Sequence, residues 1–162
     1  MLGLVPADYD GSLTISQRPT TFTIASVEYT RGDWLFAAEY GRATTRQRSS
    51  LPALLPTFER TSEQLYAMLT RRLSERFEIG GYYSVKHADI DERQGRDKMR
   101  FPERHYAFQR DAAATVRIDI NPYWLWKLEA HFIDGTSDLI EAGKPGADRY
   151  WGMFLAKTTV TF

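Results

Sequence analysis

The chain contains no cysteine, which excludes disulfide frameworks, thiolate metal sites and cysteine nucleophiles. Neither sign of charge is in excess: 21 Lys and Arg balance 21 Asp and Glu. Nothing therefore points to nucleic acid, and charge must be read by position. No stretch approaches the ~20 consecutive apolar residues of a transmembrane helix. The opening MLGLVPADYDG has no basic start, long apolar run or small-residue cleavage site, so it is not a signal peptide. A cytoplasmic protein, a mature chain or a truncated piece of a larger one all fit that start. What the chain does have is aromatic side chains: nine Tyr, nine Phe and four Trp, at a mean hydropathy of −0.45. A polar average does not exclude a β-barrel wall, whose strands alternate apolar and polar residues and so escape hydropathy windows. The 162 residues suit one domain. We read 1–162 as a single segment, with 1–20 an ill-defined loop or partial strand.

From Phe22 onward the period is two rather than 3.6. Trp124, Trp126, Leu128, Ala130 and Phe132 fall on one face, and Leu125, Lys127, Glu129 and His131 on the other. Before them, Ala112, Ala114, Val116, Ile118 and Ile120 oppose Ala113, Thr115, Arg117 and Asp119. Phe77, Ile79, Gly81, Tyr83 and Val85 oppose Glu78, Tyr82, Ser84 and Lys86; Trp34, Phe36, Ala38 and Tyr40 oppose Leu35, Ala37 and Glu39. The last strand sets Tyr150, Gly152, Phe154, Ala156, Val160 and Phe162 against Met153, Lys157, Thr159 and Thr161. Ser62–Arg72 also fits a helical stripe through Leu65, Met68, Leu69 and Leu73, capped by Thr61 or Ser62. We expect a strand, because its neighbours otherwise lack a partner of the right direction.

The connections alternate in length. Residues 30–33, 73–76 and 121–123 are tight turns, with Gly and Asp in the first and Asn and Pro in the last. Between them lie long polar stretches, roughly 43–61, 88–104 and 135–148. Short turns at one end and long loops at the other are the habit of bacterial outer-membrane barrels. The expectation is an all-β, antiparallel up-and-down transmembrane β-barrel with about seven or eight strands in this chain.

Aromatic placement separates a membrane barrel from a soluble, lipocalin-like one that turns its apolar face inward. Tyr29, Trp34, Phe77, Tyr123, Trp124 and Phe162 lie near the short turns or the C-terminus. They are expected as membrane-interface aromatics, since such rings favour the headgroup zone. A looser set, Tyr40, Tyr83, Tyr106, Phe108 and Tyr150, lies toward the long loops. The opposite face carries Glu39, Lys86, Arg117, Asp119, Lys127, Glu129, His131 and Lys157, with Glu28 and Glu78. Buried unpaired in a dry core, these charges would be prohibitive. Facing lipid at the midplane, each Lys or Arg would cost ~2–4 kcal/mol. We read the eight as pore-lining.

The run from Arg117 to His131, RIDINPYWLWKLEAH, resembles the C-terminal hairpin of Gram-negative porin-like outer-membrane proteins. FEIGGYYS, Phe77–Ser84, fits the same pattern, and Tyr150–Phe162 resembles the β-signal read by the barrel-assembly machinery. The resemblance covers about Phe22 to Phe162, and its nearest family is that of phosphate-selective porins. It implies a location in the bacterial outer membrane, contact with outer-membrane lipid, a barrel of about sixteen strands, a homotrimer and passive diffusion of small solutes. The chain departs from that family in its odd strand count, because bacterial single-chain barrels are even. Either Leu13–Gln17 belongs to an eighth strand, or the chain is the C-terminal part of a larger barrel, which we favour. The rival readings are a small eight-stranded outer-membrane barrel with an adhesion or structural role, and a soluble ligand-binding barrel.

No cofactor, metal or enzymatic activity is expected. His87, His105 and His131 lack ligand spacing and are read as solvated lumen or loop residues. Asp89, Asp91, Glu92 and Asp97 resemble an oxygen-ligand loop, but basic residues interrupt them. No GxSxG elbow is present. Arg42, Arg46 and Arg48 lead into a long loop, where they either bias a channel mouth toward anions or simply solvate it.

Overall fold

A computed structural model describes residues 12–51, 57–137 and 148–162. Seven strands run β1 (Ile15–Arg31), β2 (Trp34–Ser49), β3 (Phe58–Arg72), β4 (Phe77–His87), β5 (Phe108–Asn121), β6 (Trp124–Gly135) and β7 (Tyr150–Val160). They form one antiparallel sheet in sequence order, each strand paired with the next. The all-β, up-and-down expectation therefore holds. The sheet is not closed: β1 and β7 are its edges among the described residues, an arrangement consistent with part of a barrel. Ser62–Arg72 is strand, within β3. Among the described residues no helix is long and apolar enough to cross a membrane, which leaves crossing by strands untouched.

Local chemistry sets the three short turns. Gly32 takes φ +56°, a left-handed conformation that favours glycine. The Ser74 hydroxyl accepts from the Phe77 amide at 3.2 Å. The Asn121 side-chain oxygen accepts from the Tyr123 amide at 2.9 Å, the local bond that makes Asn a turn residue.

Strand lengths differ from expectation at the loop end. β1 begins at Ile15, so Leu13–Gln17, the stretch that the less favoured alternative gave to an eighth strand, contributes Ile15–Gln17 to the first strand instead. β2 and β3 continue to Ser49 and from Phe58, through residues expected to be loop. Their register explains it: Arg46 pairs with Glu59 and Thr44 with Thr61. The Arg46–Glu59 ion pair at 2.8 Å and the Thr44–Thr61 hydroxyl bond at 3.0 Å hold a polar ladder together.

The register also carries a regular stagger. Trp34 connects through Arg71 and Ile79 to Val116 and Leu128. Measured from that row, the β3–β4 turn starts two residues further on, beyond Phe77. The β5–β6 turn lies two further still, beyond Trp124. A constant offset in one direction is the shear that a tilted barrel wall requires.

Since neighbours are antiparallel and the count is seven, β1 and β7 run in the same direction, both toward the short turns. A small apolar cluster of Phe101, Tyr106, Ala107 and Phe108 packs at the loop end, with Ala88 against it. Tyr106 and Phe108, expected among the loop-side interface aromatics, are thus buried. Residues 88–107 fold back, stapled by the Ala88 amide on the Ala107 carbonyl (2.8 Å) and the Thr136 amide on the His105 carbonyl (3.0 Å). Gly135 makes this possible: at φ +101°, an added Cβ would lie 2.1 Å from the Phe108 carbonyl oxygen.

Candidate functional site

The two faces of the sheet have opposite chemistry, and the apolar one is the more exposed. On β6, an inner strand of the sheet, Phe132 is 72% exposed while His131 and Ile133 on either side are each 4% exposed. On β5, Ala112, Ala114 and Val116 are exposed and Asp111, Ala113 and Thr115 buried. The exposed set continues through Phe77, Ile79 and Tyr83 on β4 and Trp124 and Trp126 on β6.

The apolar face has sharp limits. On β4, β5 and β6 it spans nine residues each: Phe77–Val85, Ala112–Ile120 and Trp124–Phe132. A tilted transmembrane strand needs about 9–11. One step further toward the loops on the same face stand Arg42, Glu63, His87, Arg110 and Asp134 on five consecutive strands. This row pairs with itself and with the loops. Glu63 contacts His87 at 3.1 Å and Arg93 at 2.6 Å. Asp134 contacts Arg110 at 3.4 Å and Arg149 at 2.6 Å.

The sequence-derived aromatics follow this geometry. Tyr29, Trp34, Phe77 and Trp124 are exposed on the apolar face beside the short turns, Tyr123 is exposed within a turn, and Phe162 is exposed beyond β7. Arg71 lies 5.0 Å over the Trp34 ring, a cation held at the edge of the aromatic rim. Arg42, Arg46 and Arg48 share the parity of Trp34. They lie on the same face as the apolar band, at and beyond its charged border.

All eight residues read as pore-lining lie on the polar face, in three groups. Glu39 and Lys86 border a hollow of about 520 Å³ with Glu28, Gln64, Tyr66 and Ser84. Arg117 and Asp119 border another, of about 530 Å³, near the short turns with Arg72 and Arg76. There Asp119 binds Arg117 at 2.9 Å and is ion-paired to Arg72, which also reaches Glu78 at 3.8 Å. Lys127, Glu129, His131 and Lys157 form the third group: Lys127 meets Glu129 at 2.8 Å and is the cross-strand partner of Lys157.

His131 departs from expectation. It is not solvated: its Nδ1 lies 3.0 Å from both the Asp111 carboxylate and the Tyr82 hydroxyl, and Tyr82 donates to Asp111 at 3.1 Å. Its Nε2 is buried with no hydrogen-bond partner, with a Glu129 oxygen 3.8 Å away. Tyr66 adds a tilted ring contact to Tyr82 with centroids 5.5 Å apart. Asp111, Tyr82, Tyr66 and Arg72 were not singled out from sequence. The usable signal was parity, which places Asp111 in phase with Thr115 and Asp119.

These ion pairs run along a strand or between near strands. Among the described residues no group of three or more His, Cys, Asp or Glu side chains is placed to hold a metal. The acidic loop is occupied internally: Asp89, 2% exposed, accepts from the Asp91 amide and pairs with Arg100 at 2.8 Å. Asp97 accepts from the Met99 amide at 2.9 Å.

No protein-family model, curated protein or solved structure matches the chain.

Proposed function

We propose that this chain is a wall segment of a bacterial outer-membrane β-barrel, the C-terminal part of a passive porin. Its polar face lines a water-filled path for small solutes. The observation that carries the reading is the nine-residue apolar band, exposed on strands within the sheet and bordered by charge toward the loops. Lipid accommodates such a band, and water does not. The ion-paired opposite face belongs in water, where solutes are sorted by size and field rather than by covalent chemistry. Glu39, Lys86, Arg117, Asp119, Lys127, Glu129 and Lys157 line the path, and the buried His131 lies in the wall behind them. The aromatic rim marks the periplasmic interface, and β7 with Phe162 is the segment the assembly machinery reads. A homotrimer is part of the proposal through the porin resemblance alone.

Because β1 and β7 run the same way, closure by antiparallel pairing needs an odd number of further strands. One would give a small eight-stranded barrel, and nine a porin-sized one of ~16 strands. Open edges cannot face lipid, so in a chain inserted alone β1 and β7 must pair with further copies.

The test is refolding of the full chain into detergent and then vesicles, followed by gel migration with and without boiling and by planar-bilayer conductance. Heat-modifiable migration with conductance supports a porin wall. Heat-modifiable migration without conductance supports the small closed barrel. A folded, water-soluble monomer without detergent overturns the membrane reading.

A further inference from the structure

On the apolar face, directly below the charged border, a furrow follows β5. Its floor is Ala112 and Ala114, with Gly81 beside them; its walls are Tyr83 on β4 and Phe132 on β6. The hollow there measures about 480 Å³. It adjoins a second hollow of about 690 Å³ that passes Phe132 to Gly152 and Tyr150 on β7. Small residues sit between aromatic ridges, so the depression is linear and apolar.

Its upper end is cationic. Arg110 is the next residue of the same face on β5 and borders the larger hollow. Arg149 joins it from the loop before β7. Both guanidinium groups meet the single carboxylate of Asp134, Arg149 through two bonds of 2.6 and 3.1 Å and Arg110 at 3.4 Å. Two cations on one anion leave a net positive charge. Aromatic faces hold these cations in place: Arg110 lies 4.9 Å over Phe108 and Arg149 4.7 Å over Tyr150. The two side chains remain 48% and 45% exposed. Their free N–H groups are thus available to an incoming anion.

We infer that this furrow binds one phosphate-bearing lipid, its phosphate on Arg110 and Arg149 and an acyl chain along Ala112 and Ala114. The inference rests on the lipid-facing reading of the apolar face. A guanidinium pair suits a phosphate geometrically, through paired N–H donors. An apolar channel of small residues immediately below it suits a chain attached to that phosphate, and does not suit a free anion. Asp134 competes for the same donors, which gives the site a distinctive response: removing this carboxylate strengthens lipid binding.

The experiment takes the full chain refolded into phosphatidylcholine vesicles containing roughly a tenth phosphatidylglycerol. After extraction in a non-ionic detergent, retained lipid is read by native mass spectrometry. The wild-type chain is expected to keep one phosphatidylglycerol. Replacing both arginines (R110Q/R149Q) lowers retention about tenfold, the loss of one or two charge-assisted bonds. Ala112→Phe, which fills the furrow, lowers it while leaving the arginines intact. Asp134→Asn raises it. Arg42→Gln, in the same charged row but outside the furrow, leaves it unchanged. Equal retention in wild type, R110Q/R149Q and Ala112→Phe overturns the site, as does retention of inorganic phosphate in place of lipid. A chain that inserts into phosphatidylcholine but shows no preference for phosphatidylglycerol overturns the site and leaves the lipid-facing reading standing. A chain that inserts into no vesicle overturns both.

Discussion

The Nδ1 atom of His131 lies 3.0 Å from the carboxylate of Asp111, joining β5 and β6 within a polar face that also engages Tyr82. Both residues are buried, so truncating one strands the other. Asp111→Ala should cost about 1–3 kcal/mol, the penalty of leaving a buried polar group unsatisfied. Tyr82→Phe removes one hydroxyl from the network and should cost about 1 kcal/mol. Urea titration of the vesicle-inserted chain, followed by tryptophan fluorescence, reads both. Unchanged midpoints would mean that the network contributes nothing to the wall.

The two faces should respond oppositely to the same substitution. Leu128→Arg puts a guanidinium in the middle of the apolar band and should cost ~2–4 kcal/mol if that band meets lipid. Leu155→Arg lies on the polar face opposite Glu129 and should cost under about 1 kcal/mol. Refolding yield and urea midpoint in vesicles compare the pair. Equal penalties would remove the distinction between the faces.

Gly135 bears on the loop-end core rather than the lumen. Gly135→Ala forces an L-residue into φ +101° and drives its Cβ into the Phe108 backbone. We expect a cost above about 1 kcal/mol and faster trypsin cleavage at Arg104, with conductance retained. Cleavage at the wild-type rate would contradict the close packing of Gly135 on Phe108.

Charge near the short turns should set ion preference. Arg72 and Arg117 converge on Asp119, and replacing both by Gln leaves that hollow more negative. The reversal potential in a salt gradient is then expected to shift toward cation selectivity. No shift would place these groups away from the conducting path.

Much of the fold was legible because a strict period of two leaves little freedom: shifting a strand by one residue exchanges its entire faces. The runs at Phe77–Val85, Ala112–Ile120 and Trp124–Phe132 kept the predicted faces without exception. The loop end was less legible. Ala43 to Ser49 and Phe58 to Thr61 read as polar loop, because a ladder of charges and hydroxyls leaves no apolar period. Only the register, with Arg46 opposite Glu59, shows them to be strand. Tyr106 and Phe108 were misplaced because the loop's own core depends on its fold-back over the strands. His131 was read as solvated because its partners, Asp111 and Tyr82, are 20 and 49 residues distant.

The central claim is that the apolar face meets lipid while the polar face meets water. Spin labels placed singly from Trp124 to Asp134 on β6, in the vesicle-inserted chain, test it most directly. Collision rates with oxygen and with a water-soluble nickel chelate report the two environments. The account predicts a period of two, with oxygen favoured at 124, 126, 128, 130 and 132 and the chelate favoured at 125, 127 and 129. The opposite phase, with the even-numbered positions open to the chelate, would contradict it.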